Sequence, residues 1–284
     1  MDYLDYLAQC NAHQLERYLP LQFEGQRIGY LRKDSVAPLE AWPMLFRISA
    51  QRVDLVAQGD TTAARSREWN RVIEALAADG LLPYLTGEPY PVTADSRERA
   101  LFVIDRAAAP FFGVRAFGQH INGFVRNGDG INLWVGRRSA DRRNFPGKLD
   151  HLVAGGVPHG ISLRDNLLKE CWEEAGIPEE IALGAVPVGA ITYIAESERG
   201  LKPDTLYCYD LELPPSFVPR CTDGEVESFA LWPIERVMET LLTGPEFKLN
   251  CNLVIIDFLI RHGCIGPEHD SYLELVAGLH PQLP

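Results

Sequence analysis

The amino-acid sequence predicts an α/β fold, a sandwich in which helices cover both faces of a mixed sheet, preceded by a smaller α+β domain. Alternating strands and amphipathic helices intermingle in the second half of the chain, whereas short strands surround one helix in the first half. The 284 residues are 46% apolar, which is enough for sizeable cores. We therefore expect an α+β N-terminal domain over 1–115, a main domain over 116–265 and a C-terminal tail over 266–284.

The N-terminal domain is predicted from turn signals and helical periodicity. Glu24-Gly25 indicates a hairpin turn, and Asp79-Gly80 ends a helix whose apolar side includes Trp69. Trp69 and Tyr90 could stack on a ligand, but aromatic residues at these spacings are more typical of a core. The predicted elements are a helix within 3–18, a hairpin over 21–31, two short strands within 45–56, a helix over 61–78, an extended segment over 87–92 and a strand over 101–104.

The main domain begins with an alternating strand that carries His120 and Asn122 on one face. That face would meet either solvent or a pocket, so both side chains are candidate substrate-binding residues. The predicted elements are strands over 119–125 and 131–137 joined by a Gly128-Asp129-Gly130 turn, a segment over 148–154 leading to a helix over 162–175, strands over 186–194, 204–213 and 225–232, and helices over 233–242 and 253–262. The tail is expected to be a helical appendage with a disordered Pro-rich tip.

Composition excludes several classes of protein. A formal net charge of −12 argues against nucleic-acid binding by phosphate neutralisation. No apolar run reaches the length of a membrane span, and the N-terminus lacks the basic start of a signal peptide, so we expect a cytoplasmic protein without a membrane partner. The six cysteines lack metal-site spacing, so reduced thiols are expected and zinc is not. The oligomeric state stays open, with a homodimer as one alternative.

A local basic stretch could bind a small anion despite the acidic composition. Arg137, Arg138 and Lys148, with two further arginines between them, lie close together in the sequence. We take these three as candidate ligands for a substrate phosphate; the alternative is ordinary surface solvation.

The helix over 162–175 carries three carboxylates on one face. Ser162 is a good N-cap residue, and Glu170, Glu173 and Glu174 follow at i, i+3 and i+4 spacing near the C-terminus. Each like-charge pair at this spacing costs ~0.2–0.5 kcal/mol, and the helix dipole adds to the penalty. A divalent cation would remove both penalties, whereas a solvated acidic face is the simpler alternative.

The segment 155–177 resembles the Nudix box, from Gly155 through Lys169-Glu170-Cys171-Trp172-Glu173-Glu174-Ala175-Gly176 to Ile177. Ile161 stands where the box has its first glutamate, and Lys169 stands where it has arginine. The resemblance implies a Nudix α/β/α sandwich with a mixed sheet and metal-dependent hydrolysis.

The same resemblance implies roles for individual residues. Mg²⁺, with Mn²⁺ as a substitute, would be held by Glu170, Glu174 and the Gly155 carbonyl, and Glu173 would complete the cluster. Glu225 and Glu227 lie where Nudix enzymes often place a further acidic ligand or a base, although two surface glutamates would give the same pattern.

A closer resemblance covers nearly the whole chain. The strings over 145–150, 153–156, 204–213 and 223–227 are similar to the thiamin-diphosphate-acting Nudix hydrolases related to domains fused with thiamin pyrophosphokinase. That resemblance implies hydrolysis of thiamin diphosphate, or of its oxidised oxo and oxy forms, to the monophosphate and phosphate. The N-terminal domain would then cap the substrate rings.

Two alternatives to this function stay open, and a third is disfavoured. One is a Nudix hydrolase of another nucleoside diphosphate derivative, such as ADP-ribose or NADH. Another is a non-catalytic Nudix ligand-binding module, for which Ile161 is the main support. Isopentenyl diphosphate isomerase is disfavoured because Ala154 stands where that family needs a catalytic cysteine.

Overall fold

A seven-stranded mixed sheet organises the protein in the computed structural model, which describes residues 1–56, 59–128 and 130–283. The strands are β1 (Tyr18–Phe23), β2 (Gln26–Arg32), β3 (Phe46–Ile48), β4 (Val53–Leu55), β5 (Pro89–Val92), β6 (Phe102–Asp105), β7 (Ala116–Asn127), β8 (Gly130–Arg138), β9 (Leu149–Asp150), β10 (Val153–Gly156), β11 (Val186–Ser197), β12 (Gly200–Glu212) and β13 (Val226–Pro233). The helices are α1 (Tyr3–Cys10), α2 (Thr62–Ala78), α3 (Ala109–Phe112), α4 (Leu163–Ala175), α5 (Glu179–Ala182), α6 (Ile234–Thr243), α7 (Leu249–Arg261) and α8 (Tyr272–Gly278).

The N-terminal domain contains a four-stranded sheet of order β2-β1-β4-β3 and a β5-β6 ribbon. The predicted hairpin is confirmed: Glu24 and Gly25 adopt φ values of 51° and 77° between the antiparallel strands β1 and β2. Helix α2 packs the buried side chains of Trp69 and Ile73 into this domain's core. The predicted helix within 3–18 is too long: α1 ends at Cys10, after which Asn11 Oδ1 accepts from the Ile194 N–H (3.1 Å) and the Ala12 carbonyl accepts from the Glu196 N–H (3.0 Å) of β11.

The seven-stranded sheet runs in the order β11-β12-β7-β8-β13, with β10 beside β7 and β9 beside β8. Strands β12 and β7 are parallel and the other pairs are antiparallel, so the sheet is mixed. Helix α4 packs on one face through Leu167 and Cys171, and α6 and α7 cover the other face. The predicted sandwich is confirmed. The predicted turn at Gly128-Asp129-Gly130 includes residue 129, which lies outside the described residues.

Both ends of the chain pack against the main domain. Helix α1 lies beside α7 and α8, and the Tyr6 hydroxyl donates to the carbonyl oxygens of Leu241 (2.6 Å) and Gly244 (2.9 Å). Leu275 and Leu279 of the C-terminal segment are buried in the same core. The segment predicted as an appendage therefore contributes to the sandwich. Within the described ranges, no helix is long and apolar enough to cross a membrane.

The face of β7 that carries His120 and Asn122 is interior, so the expectation that it meets solvent is wrong. The two side chains are only 3% and 1% exposed, because α7 covers this face. The Asn122 side chain donates to Asp210 Oδ1 at 3.0 Å, and Asp210 also accepts from Arg261 and His262 of the α7 C-terminus. Burial opposes ionisation of Asp210, but its bonds to His262 and Arg261 lower its pKa to about 2.

The Asp210 interactions yield a prediction for stability. The folded-state pKa lies below that of a free aspartate, so charged Asp210 stabilises the fold above pH ~4, and this contribution is lost as pH falls toward 2. Replacing Asp210 by Asn should reduce the free energy of unfolding at pH 7 by roughly 1.5–3 kcal/mol. Urea unfolding should show this loss shrinking below pH 4. The matched control is Glu212→Gln, an exposed position on the same strand; a pH-independent loss in Asp210→Asn would contradict the explanation.

Candidate active site on the acidic helix

Helix α4 has the caps that the sequence predicts. Ser162 Oγ accepts from the Asp165 backbone N–H at 3.0 Å, and Gly176 ends the helix with φ 63°. Leu167, Cys171 and Ala175 are buried against the sheet, which fixes the rotation of the helix about its axis. This rotation places Glu170 and Glu174 beside the end of β10, whereas the Glu173 side chain pairs with Lys169.

The absence of a side chain at Gly155 lets a carboxylate lie against the strand. A Cβ atom at this position would sit 2.7 Å from Glu170 Oε2 and closer still to Glu170 Cδ, so any residue other than glycine would displace Glu170. Glu174 is bound to the same strand, where its Oε2 accepts from the Ala154 backbone N–H at 2.8 Å. The structure thus brings together Glu170, Glu174 and Gly155, the three residues that the resemblance implies as metal ligands.

The two carboxylates lack enough compensating positive charge. Burial raises the pKa of Glu174 to about 8, and the charges of Asp150, Glu170 and Glu225 add to the increase. Burial also raises the pKa of Glu170, although Lys169 Nζ at 3.1 Å partly opposes it. Glu173 is more exposed and pairs with Lys169 at 2.9 Å. Several carboxylate oxygens around a strand-end carbonyl are the donor set that hard divalent cations prefer, so the residues present fit Mg²⁺.

The two downstream glutamates differ in position. Glu225 lies close enough to Glu170 and Glu174 to raise the pKa of each, and it pairs with Arg142. Glu227 is exposed at the irregularity in the pairing of β13 with β8. Glu225 is therefore the downstream glutamate that lies near the acidic helix.

The basic side chains predicted to hold phosphate make structural contacts instead. Arg138 is buried, and its Nη1 donates to Asp150 Oδ2 at 2.7 Å. Arg137 donates to the Gly147 carbonyl at 2.7 Å, and the Lys148 ammonium donates to the Pro245 carbonyl. These bonds hold the loop between β8 and β9. Arg142 of this loop, which was not among the predicted site residues, is the side chain that reaches Glu225.

A buried polar cluster lies on the face of the sheet that α7 covers, and the charge of its Asp150 acts on Glu174. His120 Nδ1 and His151 Nδ1 are 2.9 Å apart, and the Cys251 thiol donates to Asp150 Oδ1 at 2.7 Å. These four side chains offer ligand atoms within 4.8 Å of one another, a geometry that could hold a metal ion. However, Lys248 and Arg138 both pair with Asp150 Oδ2, and two fixed cations oppose the binding of a third.

This cluster is not among the predicted sites, because its members come from separate elements. Only Asp150 and His151 are adjacent, and Cys251 follows about a hundred residues later on α7. The signal that could have found it is the clustering of polar residues, including Lys248 and Cys251, at the start of an otherwise apolar helix.

The N-terminal domain contacts the strand end and the loop that precedes α4. A side chain at Gly156 would collide with the Tyr90 hydroxyl and lie 3.2 Å from Arg106 Nη1. Arg97 Nη2 donates to the carbonyls of Pro158 (3.0 Å) and Ile161 (2.7 Å). Tyr90, predicted as a core residue, is indeed buried, but it also borders the site.

The fold and the glutamate site together define a Nudix-type α/β/α sandwich. The family model described as "NUDIX domain" matches residues 117–251, and the one described as "Domain of unknown function (DUF4743)" matches residues 2–116. Among solved structures, the NUDIX domain of Shewanella oneidensis NrtR complexed with ADP ribose is similar over 54% of this chain and 91% of that chain, at 14% identity and a TM-score of 0.41.

Two curated plant proteins are similar over nearly the whole length of the chain. "Nudix hydrolase 20, chloroplastic" of Arabidopsis thaliana is 42% identical over 284 residues, which cover 96% of this chain and 76% of that protein. "Nudix hydrolase 24, chloroplastic" of the same plant is 42% identical over 277 residues, with the same two coverages. The chain therefore belongs to the Nudix hydrolase family and is an enzyme.

The raised pKa of Glu174 predicts that its charge destabilises the metal-free protein. An unfolded glutamate ionises near pH 4.3, whereas folded Glu174 ionises near pH 8, so the penalty grows as pH rises between these values. Glu174→Gln removes the charge and keeps an oxygen for the Ala154 N–H. In EDTA, thermal melts should show the variant gaining stability over wild type between pH 5 and 8.

The matched control for this measurement is Glu173→Gln, which removes a carboxylate that is already exposed and paired. It should show no comparable gain as pH rises. A Glu174→Gln difference in melting temperature that is constant from pH 5 to 8 would contradict the assigned electrostatics.

Proposed function

We propose that the enzyme hydrolyses a diphosphate linkage with the aid of Mg²⁺, for which Mn²⁺ can substitute, and that its preferred substrate is thiamin diphosphate or an oxidised (oxo or oxy) form. The products would be the monophosphate and phosphate. The observation that carries the hydrolytic part is the packing of Glu170 and Glu174 against Ala154 and Gly155. Family membership supports it as well, since Nudix hydrolases typically use a divalent metal.

The metal site is proposed from the donor set. Glu170, Glu174 and the Gly155 carbonyl would hold the metal, with Glu173 completing the cluster. Bound Mg²⁺ supplies charge neutralisation of the diphosphate and activation of water. The chain's own residues orient these oxygens: the Ala154 N–H fixes Glu174, and Lys169 spans Glu170 and Glu173.

We propose Glu225 as the residue that accepts a proton from the attacking water or supplies a further ligand. Its electrostatic coupling to Glu170 and Glu174 and its pairing with Arg142 support this role. Glu227 stays a second candidate for the same role, at an exposed position.

The other predicted substrate-binding residues have contacts that favour a positioning role. Arg137, Arg138 and Lys148 bind carbonyl or carboxylate oxygens of the protein. His120 and Asn122 are interior. We infer that this set supports the β8–β9 loop and the sheet behind α4, so that mutations there would act through the glutamates and not through substrate contact.

The thiamin assignment rests on the sequence resemblance, and one structural feature supports it. The N-terminal domain reaches Gly156 through Tyr90 and Arg106, one residue from the proposed metal site, which suits a domain that caps the organic half of a ligand. The names of the Arabidopsis relatives specify no substrate, so ADP-ribose and NADH remain the alternatives to be tested.

Partners and location are proposed on more general grounds. The net charge of −12 supports a small-molecule substrate over nucleic acid. We propose a cytoplasmic location, whereas the two relatives, of which this chain covers 76% each, are named chloroplastic. A homodimer remains an untested prediction.

The metal-site proposal predicts loss of activity when its carboxylates are neutralised. Glu170→Gln and Glu174→Gln should each reduce Mg²⁺-dependent phosphate release by ~10² or more, because each removes a group central to the chemistry. Steady-state kinetics at saturating substrate, with circular dichroism as a folding check, measure this. Glu180→Gln, an exposed position on α5, is the control. Near-normal turnover in both site variants would show that the acidic face is not catalytic.

The substrate proposal is tested by a competition panel. Thiamin diphosphate, its oxo and oxy analogues, ADP-ribose, NADH, coenzyme A and a dinucleoside polyphosphate should be compared at equal concentration by kcat/KM. We expect the oxidised thiamin forms to be preferred by about tenfold or more, which requires only ~1.4 kcal/mol of transition-state discrimination. If ADP-ribose or NADH were preferred by that factor, the hydrolase assignment would stand and the thiamin assignment would fall. Binding without turnover of any of them would instead favour the non-catalytic module.

A further inference from the structure

A group of arginines surrounds Tyr84 where the two domains meet. Arg143 of the β8–β9 loop lies over the Tyr84 ring, with Cζ 4.5 Å from its centroid. Arg199, in the turn between β11 and β12, donates to the Tyr84 hydroxyl at 3.2 Å and to Asn144 Oδ1 at 3.3 Å. One phenol ring from the N-terminal domain therefore holds together two guanidinium groups from the main domain. We call Tyr84, Arg143 and Arg199 the junction cluster.

The junction cluster carries uncompensated positive charge. Among the described residues, no ion pair includes Arg143 or Arg199; Arg199 bonds to the neutral groups of Tyr84 and Asn144, and Arg143 contacts the Tyr84 ring. Nearby Arg106 has a single carboxylate partner, Glu88, at 2.9 Å. Two guanidinium groups that contact the same ring repel one another, so the arrangement is costly for the protein alone and favourable for an anion placed between them.

Tyr84 itself reports a positive electrostatic potential. Burial would raise the pKa of this phenol, yet the hydrogen bond and charge of Arg199, with a contribution from Arg143, bring it below its ordinary value. For comparison, burial raises the pKa of Tyr90, in the same domain, to about 12. The junction cluster therefore stabilises negative charge on an oxygen atom at this position.

The junction cluster is linked to the glutamates on two sides, by a neighbouring residue in the chain and by the charge of Arg106. Arg143 directly follows Arg142, the partner of Glu225. On the other side, Arg106 packs beside Gly156 and over the Tyr90 ring, with Cζ 5.5 Å from the centroid, and its charge interacts with that of Tyr84. The cluster is thus an extension of the proposed active site toward the N-terminal domain.

We propose that Tyr84, Arg143 and Arg199 bind phosphate oxygens of the diphosphate substrate on the side of the active site that faces the N-terminal domain. This inference rests on the proposed function and adds residues that sequence reasoning did not select. The planar guanidinium groups are suited to paired hydrogen bonds with phosphate oxygens. The substrate phosphates would then lie between carboxylate-held metal and arginine, which leaves the organic half to other surfaces of the junction.

The first experiment measures anion binding apart from hydrolysis. Isothermal titration of inorganic pyrophosphate in EDTA should give a dissociation constant about tenfold weaker for Arg143→Ala and for Arg199→Ala than for wild type. Arg199→Lys, which keeps the charge but loses the fork, should fall between. Tyr84→Phe should weaken binding by only about threefold, because it removes one neutral hydroxyl. Melting temperatures serve as the check that each variant is folded.

A matched control is available on α6, the helix that follows β13. Arg236 stacks on Trp232 with Cζ 3.8 Å from the ring, much as Arg143 stacks on Tyr84. Arg236→Ala should leave pyrophosphate affinity unchanged. Affinities within twofold of wild type for both junction variants would overturn the proposal, and so would an equal loss in Arg236→Ala, which would indicate a nonspecific charge effect.

The second experiment identifies which part of the substrate the junction cluster contacts. Arg143→Ala and Arg199→Ala should lower kcat/KM for thiamin diphosphate and for ADP-ribose by the same factor, since both carry a diphosphate. A changed order of preference would place the cluster on the organic half and refute the phosphate assignment. If wild type bound pyrophosphate through these arginines but hydrolysed neither substrate, the subsite would stand and the proposed function would fail.

Discussion

The close approach of Glu170 to Gly155 is the contact on which the candidate site depends. Because glycine has no Cβ, the end of β10 can lie against a half-buried carboxylate, and the next turn of α4 brings Glu174 to the Ala154 N–H. The two contacts fix the position of the acidic helix relative to the strand-end carbonyl. They also create the electrostatic tension of the site, since both carboxylates have raised pKa values in the absence of a cation. Burying the two carboxylates close together lowers the stability of the metal-free protein, but their oxygens are already oriented.

The N-terminal domain acts on the same region from outside. Arg97 binds the carbonyls of Pro158 and Ile161, and Pro89 accepts from the His159 N–H at 2.7 Å. The loop between β10 and α4 is therefore held by a domain that the Nudix core does not contain. Ile161 stands where the box has its first glutamate, and its carbonyl oxygen is one of the two that accept from Arg97. Ile161, the departure from the box pattern, thus lies in a loop that the N-terminal domain holds in position. The position of the loop therefore does not depend on a glutamate at residue 161.

Local signals in the sequence predicted the sandwich, the capped acidic helix and the three clustered glutamates, because each depends on residues close together in the chain. Predictions that depended on tertiary contacts were weaker. His120 and Asn122 alternate like residues of a half-exposed strand, but α7 covers their face. Arg138 has the charge of a phosphate ligand, but its guanidinium group is paired with Asp150. Helix α1 ends at Cys10, and the next two residues bind the backbone of β11 instead. The junction cluster could not be predicted, since Tyr84, Arg143 and Arg199 come from three distant segments.

Charge is distributed unevenly across the candidate site: the acidic side chains lie on α4, and the basic side chains lie where the two domains meet. In the proposed site, the glutamates of α4 would repel an anionic substrate until a cation is bound, whereas the arginines at the domain junction would attract the substrate. Arg106 and Tyr84 belong to the N-terminal domain, and Arg143 and Arg199 to the main domain, so this group of side chains is complete only while the domains are packed together. An anion bound there contacts groups from both domains and stabilises their packing by linkage. If the junction cluster binds substrate phosphate as we propose, substrate binding and domain packing are coupled, and the N-terminal domain would contribute to catalysis without supplying a metal ligand.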